Sequence, residues 1–320
     1  MNIDAIKELP ALRLENVLRR FKIPWMVFAI FIAVLVFIAS TKPSLELGVD
    51  KLVEYSVHDG VITVYILLMW PISKALLTKS LNSLAALVEE DPTVTAPPSS
   101  ANEWRIPVLF GLLMAALDIS DTENFLSLSP WLFFISSFMV YAVIAWVVYA
   151  VFISARLVTH FVSTISKVRI FDVSPYRPVA NWCLSISAMI MLGLSISVLM
   201  LGGDFLEIQN LVVYILTAIM GVVVFFAGMW STHALMAKQK EQELLRVNDE
   251  LQSLHEEVLG KMKNRELEGA QSLLQASETL TAHKGRIEKL PEWPYTLGDI
   301  YGLASSFLLP LVFDLINKLF

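Results

Sequence analysis

Residues 211–230 read LVVYILTAIMGVVVFFAGMW, twenty residues without a single charge. A helix needs about 20 predominantly apolar residues to cross the hydrocarbon layer of a bilayer, so this stretch alone has the length to span. Working outward, residues 23–40, 130–153 and 181–201 pass the same test. Residues 297–320 are long enough but carry Asp314 and Lys318. Two further runs are marginal: 60–77 is interrupted at Trp70–Pro71 and holds Lys74, and 106–119 is short. Composition points the same way, with 56% hydrophobic and 17% charged residues and a mean hydropathy of +0.62. Soluble domains carry about 45–50% apolar and about 25% charged residues. The expected fold is therefore all-α: a polytopic α-helical integral membrane protein.

Charge orients the chain, because cytoplasmic loops keep Lys and Arg. Five basic residues (Lys7, Arg13, Arg19, Arg20, Lys22) precede the first run, four lie in 154–178 and nine in 231–295, against none in 120–129 or 202–210. The three basic segments are expected in the cytoplasm, with the N-terminus cytoplasmic and no cleaved leader. Parity then couples the marginal runs: if one alone crossed, loop 154–178 would fall outside. Both cross, giving about seven spans, or neither does, giving five. Seven is preferred, because five would leave Lys42, Lys51, Lys74, Lys79 and Arg105 all on the outer side.

Outside the spans, Leu14, Val17, Leu18 and Phe21 recur at helical spacing among Arg13, Arg19 and Arg20. Segment 1–22 is thus expected as an amphipathic helix in the cytoplasmic headgroup layer. Trp25, Trp104, Trp131, Trp182, Trp230 and Trp293 fall near span ends, where amphipathic rings favour the interface. The loop between the fourth and fifth runs contains Arg169, Asp172 and Arg177, with Pro175 and Pro178 forbidding a continuous helix. It reads as an interfacial turn or a ligand loop.

The largest polar piece is 231–292. Leu244, Val247, Leu251, Leu254 and Val258 follow heptad spacing, and Leu267, Leu273, Leu274, Ala276 and Leu280 form a second apolar stripe. One straight helix of about 60 residues would reach about 90 Å from the bilayer, yet the next apolar run must start back at the membrane. An antiparallel coiled-coil hairpin turning near 260–264 is expected, in the cytoplasm, before a last membrane helix at 296–320.

The chemistry of a catalyst is missing from the sequence. His255-Glu256-Glu257 opens like a zinc-protease helix, but the position four residues after His255 is Leu259. No phosphate loop, nucleophile elbow or C-x-x-C pair occurs, and the single Cys183 lies in an apolar run, where it reads as a small buried residue. No catalytic, cofactor-binding or metal-binding residue is assigned, and a net charge of −6 argues against nucleic acid. The candidates are instead intramembrane polar groups (Lys74, Asp314, Lys318) and small residues that let helices approach (Gly298, Gly302 and Ser306; Gly193 and Ser197).

These features suggest a non-enzymatic protein of a cell membrane, the bacterial inner membrane in particular. The expected function is that of a homo-oligomeric pore or signal-transmitting bundle with a cytoplasmic sensing or assembly module. The alternatives are a scaffold whose 231–290 segment recruits a cytoplasmic protein, and, behind it, a secondary transporter. The lipid bilayer is the one partner the sequence requires.

Overall fold

The computed structural model describes residues 18–47, 56–85, 87, 105–118, 128–163, 165, 172–201, 208–264 and 267–319. Every regular element among them is helical: α1 (Trp25–Leu47), α2 (His58–Ala85), α3 (Arg105–Asp118), α4 (Leu128–Ser163), α5 (Arg177–Leu201), α6 (Ile208–Lys263), α7 (Leu267–Glu288) and α8 (Leu297–Leu319). Five are long and apolar enough to cross a membrane: α1, α2, α4, α5 and α6. The 14-residue α3 is shorter, as is the apolar part of α8, Gly298–Val312. The build is that of a multi-pass membrane protein. Most of the expected N-terminal amphipathic helix lies outside the described residues.

Side-chain contacts fix the helix directions. Trp25 at the start of α1 donates to the Leu67 carbonyl of α2 at 2.8 Å, while Ser56 donates to Ser44 at the far end of α1 at 2.9 Å. The two helices are therefore antiparallel. Tyr65 reaches the Met189 carbonyl and Ser80 the Pro178 carbonyl, each at 2.7 Å, so α2 and α5 are antiparallel too. Ser187 of α5 donates to the Gly221 carbonyl of α6 at 2.6 Å, and Tyr214 of α6 to the Phe307 carbonyl of α8 at 2.6 Å. In α4, Trp146 sits beside Trp70, and the turns from Val151 to Val162 share a core with Leu77, Leu81 and Leu84, so α4 runs parallel to α2. The side on which α1 begins is called the near side below.

The largest core lies on the near side. Leu81, Val158, Phe161, Tyr176, Val179, Trp182, Cys183 and Phe225 are all within it. Trp182, expected at the interface, is 1% exposed and donates to Ser73 at 3.4 Å, so it is a core residue rather than an anchor. Elsewhere the outward faces are apolar. Met26, Ile30, Val34, Ile38 and Leu45 line α1, and Val212, Leu216, Ile219, Val223, Phe226 and Trp230 line α6. From Met26 to Leu45, or Val212 to Trp230, is roughly 27–28 Å of helix, close to the hydrocarbon thickness of about 30 Å. On the near side this apolar surface gives way to a level that carries exposed basic residues. Exposed Lys22 precedes Met26, Lys79 follows Ile72, Arg156 follows Phe152 and Lys238 follows Trp230.

Candidate functional site

The near-side level is built around a proline. Pro71 lies inside α2, where it has no N–H to give the Leu67 carbonyl four residues earlier. The sequence reads Trp70–Pro71 as a break, but α2 runs through it. The indole N–H of Trp25 takes the place of the missing donor, which satisfies the backbone in a layer without water. Trp25 stacks on Trp146 at 6.0 Å between ring centres, and Trp146 lies 5.5 Å from Trp70. Pro310 lies inside α8, where the carbonyl next to the one it leaves without a donor, that of Phe307, accepts from Tyr214. In α1, Ser44 beside Pro43 donates to the Ser40 carbonyl at 2.7 Å.

Just beyond this level α6 continues without interruption into its polar half, and the chain comes back along it. The return is clasped to α6. The His233 imidazole lies flat on the Trp293 indole (3.9 Å, 5°) and its Nδ1–H donates to the Glu292 carbonyl at 2.9 Å. Lys240 donates to the Leu290 carbonyl at 3.1 Å and to Glu292 Oε1 at 3.0 Å. Tyr295 packs on Phe225, leading into α8. These contacts join α6 to the segment that leads into α8.

Of the heptad residues on α6, Val247 and Val258 are buried, and Leu244, Leu251 and Leu254 are half-buried. On α7 the inward positions are Ala270 and Ile287, with Leu273 and Leu280 half-buried; Leu274 and Ala276, grouped with them by spacing, point outward. α6 ends at Lys263, where the Asn264 N–H bonds the Gly260 carbonyl at 3.2 Å. Ile287 is 0% exposed, so Ile287→Ala should cost about 2–5 kcal/mol, as such core truncations do. The expected result is α7 becoming cleavable by protease while the apolar helices stay protected, read by limited proteolysis in micelles.

The other sequence candidates are dispersed. Lys74 is half-buried in α2 one turn past Pro71. The side chains of Asp314 and Lys318 and the whole of Arg169 lie outside the described residues. Arg177 is exposed at the first position of α5. Asp172 caps a turn, accepting from the N–H and hydroxyl of Ser174 at 3.1 and 2.5 Å. Gly298 and Gly302 are exposed, whereas Ser306 is buried and donates to the Leu303 carbonyl at 2.6 Å. Gly193 packs within the chain: a Cβ there would lie 2.8 Å from the Tyr65 ring. Ser197 donates back to Gly193 and Ser195 back to Met191, so these hydroxyls are satisfied within α5 itself.

The turn before α5 holds a titratable core group. Tyr176 is buried and, among the described residues, its hydroxyl has no hydrogen-bond partner. Burial, followed by the neighbouring Asp172 carboxylate, pushes its phenol from 10.0 up to about 12. A raised value in the fold means that the neutral phenol supports stability below pH 10 and that this support is lost as pH rises toward 12. Tyr176→Phe is expected to leave stability near neutral pH unchanged or slightly higher, because an unpaired buried hydroxyl is removed. The same variant should flatten the alkaline decline, read as melting temperature against pH.

Among the described residues no group of three or more His, Cys, Asp and Glu is placed to hold a metal. Between α2, α4, α5 and α6 lies a cavity of about 40 Å³ with an almost wholly apolar lining. Membrane-length helices, a proline joint at their near-side edge and a polar extension of α6 define the class, a multi-pass α-helical membrane protein. No protein-family model, curated protein or solved structure matches the chain.

Proposed function

We propose that the chain is a non-enzymatic, homo-oligomeric signal-transmitting bundle of the cell membrane, with α6 as its lever. The observation that carries this reading is the continuity of α6. It is one 56-residue helix whose first half faces outward with Val212 to Trp230 and whose second half is polar. A movement of the α6–α7 arm, read here as a cytoplasmic coiled-coil sensing or assembly module, reaches α8 through the His233–Trp293 clasp. A pore is the weaker form of the reading, because the hydroxyls of Ser187, Ser195 and Ser197 in α5 end on backbone carbonyls.

Seven crossings with a cytoplasmic N-terminus fit this arrangement. α2 and α4 run in the same direction, so the chain returns between them, and α3 is the helix described there. At 14 residues it is short for a span, which local thinning of the bilayer accommodates. The near side carries Lys22, Lys79, Arg156, Arg177 and Lys238 at its surface, the bias of a cytoplasmic face, and a bacterial inner membrane is the setting that suits it. The scaffold reading draws on a different observation: Leu245, Leu259, Met262 and Leu274 are exposed on the polar arm.

Energy transfer between singly labelled copies in lipid vesicles separates the two. The bundle reading predicts transfer that persists as the vesicles are diluted with lipid and falls with Gly302→Leu, which crowds the exposed small-residue face of α8. Transfer that vanishes on dilution would leave the scaffold reading in its place.

A further inference from the structure

We infer that one face of the α6–α7 arm docks a second copy of this chain, α6 of each copy lying against α7 of the other. Among the described residues the arm exposes four large apolar side chains: Leu245, Leu259 and Met262 of α6 and Leu274 of α7. Each directly follows a residue of the seam between the helices. Those seam residues are Leu244, Val258, Lys261 and Leu273, all buried or half-buried. Successive side chains turn by about 100° along a helix. Seen from the apolar half of α6, that turn is clockwise along α6 and counter-clockwise along α7, which runs back. The two seams face each other, so one step past each brings both side chains to the same side. All four apolar residues therefore share one face of the arm, and grouped apolar exposure of this kind marks an association surface. On the opposite side α6 presents Glu243, Glu250 and Glu257.

The face is complementary to itself. A Cβ at Gly269 would lie 3.1 Å from the Lys261 side chain, and Lys240 bonds the Leu290 carbonyl. These two register points are equally far apart on both strands of the arm, so Leu274 stands level with Glu256 and Glu278 with Gln252. Copies inserted in one direction carry their arms at equal height. Two that meet on this face are related by a two-fold axis along the helices, a closed arrangement in which one patch serves both partners. The rotation sets α6 of one copy opposite α7 of the other. Leu259 then meets Leu274 of the second copy within one turn of the same height, and the contact is made twice. Polar groups match as well. Between Leu245 and Leu259 this face of α6 carries Asn248, Gln252 and His255, exposed and without an acid among them, while α7 presents exposed Glu278. Docking brings that carboxylate to the level of the amide and imidazole N–H donors. Gln252 donates to Glu256 of its own helix at 3.3 Å and keeps a second N–H for the purpose.

The inference rests on the bundle reading, to which it adds the contact between polar arms. Disulfide cross-linking of the full chain in lipid vesicles tests it, in a Cys183→Ala background. Chains with Leu259→Cys and chains with Leu274→Cys, told apart by tags of different size, are reconstituted together and oxidised. A disulfide needs Cα atoms within about 7 Å, which the docked arms provide between 259 of one copy and 274 of the other. The mixed dimer is the expected main product, with each like pair a minor one, because the two-fold axis holds like positions diagonally apart. Adding Glu278→Lys to both chains should reduce the mixed dimer severalfold, since an ammonium would replace the acceptor. Glu278 is exposed, so the protease resistance of α7 should not change. A main product of paired Leu259→Cys chains would mean that the two α6 helices meet each other. No dimer in any mixture would leave the face to a different protein, and a mixed dimer untouched by Glu278→Lys would remove the polar match. Each of these results overturns the inference. Energy transfer on lipid dilution separates the failures: if it persists, the bundle holds with its contact elsewhere, and if it vanishes, both readings fall.

Discussion

Gly111→Val is expected to detach α3 from α4 and to destabilise the bundle by about 3 kcal/mol, the upper end of ordinary over-packing costs. Even the first carbon of a side chain at 111 would lie 2.9 Å from the Ala142 Cβ and 3.1 Å from its Cα and N. Two of those three atoms are backbone, so no rotamer change relieves the clash and the helices must move apart. The same logic predicts incomplete rescue by Ala142→Gly, which removes the Cβ and leaves the backbone in place. Gly302 makes the contrast, because a Cβ there meets nothing within 4 Å. Gly302→Ala should cost nothing within one chain and gain up to about 1 kcal/mol of helix propensity. Chemical unfolding in mixed micelles, followed by tryptophan fluorescence, measures both.

The second large effect is conditional. Trp25→Phe keeps an aromatic ring against Trp146 but removes the indole N–H that the Leu67 carbonyl receives. An unsatisfied carbonyl away from water costs about 1–3 kcal/mol, and that loss is expected in the native background. With Pro71→Ala, position 71 regains its own N–H and the helix ladder supplies the donor. Trp25→Phe should then cost at least about 1 kcal/mol less, a coupling of the size that contacting residues show in double-mutant cycles. Equal costs in the two backgrounds would mean that Trp25 contributes packing alone.

Length and apolarity made α1, α4, α5 and the first half of α6 legible in the sequence, because a spanning helix satisfies its backbone internally and needs only a long apolar run. Pro71 misled the reading of α2 for a tertiary reason. The donor that lets the helix continue comes from Trp25 on α1, and no local pattern announces such a partner. Trp182 misled in a similar way. Its place near the start of a run suits an interfacial ring, but α2 and α6 close over it. On the arm, heptad spacing found Val247 and Val258 on the long helix, where the period is regular. It missed Ala270 and Ile287 on α7, where Leu274 and Ala276 offered a competing stripe and alanine carries little hydrophobic signal. The cavity has no sequence signature at all, since its lining comes from four separate helices.

The proposed relay requires α6 to be a single rigid element from the apolar belt into the polar arm. Spin labels placed by Leu216→Cys and Glu256→Cys, in a Cys183→Ala background, report on it directly by pulsed dipolar spectroscopy in lipid bilayers. Forty residues of unbroken helix separate the labels by about 60 Å, and a narrow distance distribution centred there is the expected result. A broad distribution, or one centred well below that length, would mean that α6 breaks at the membrane edge and that the arm cannot drive the bundle.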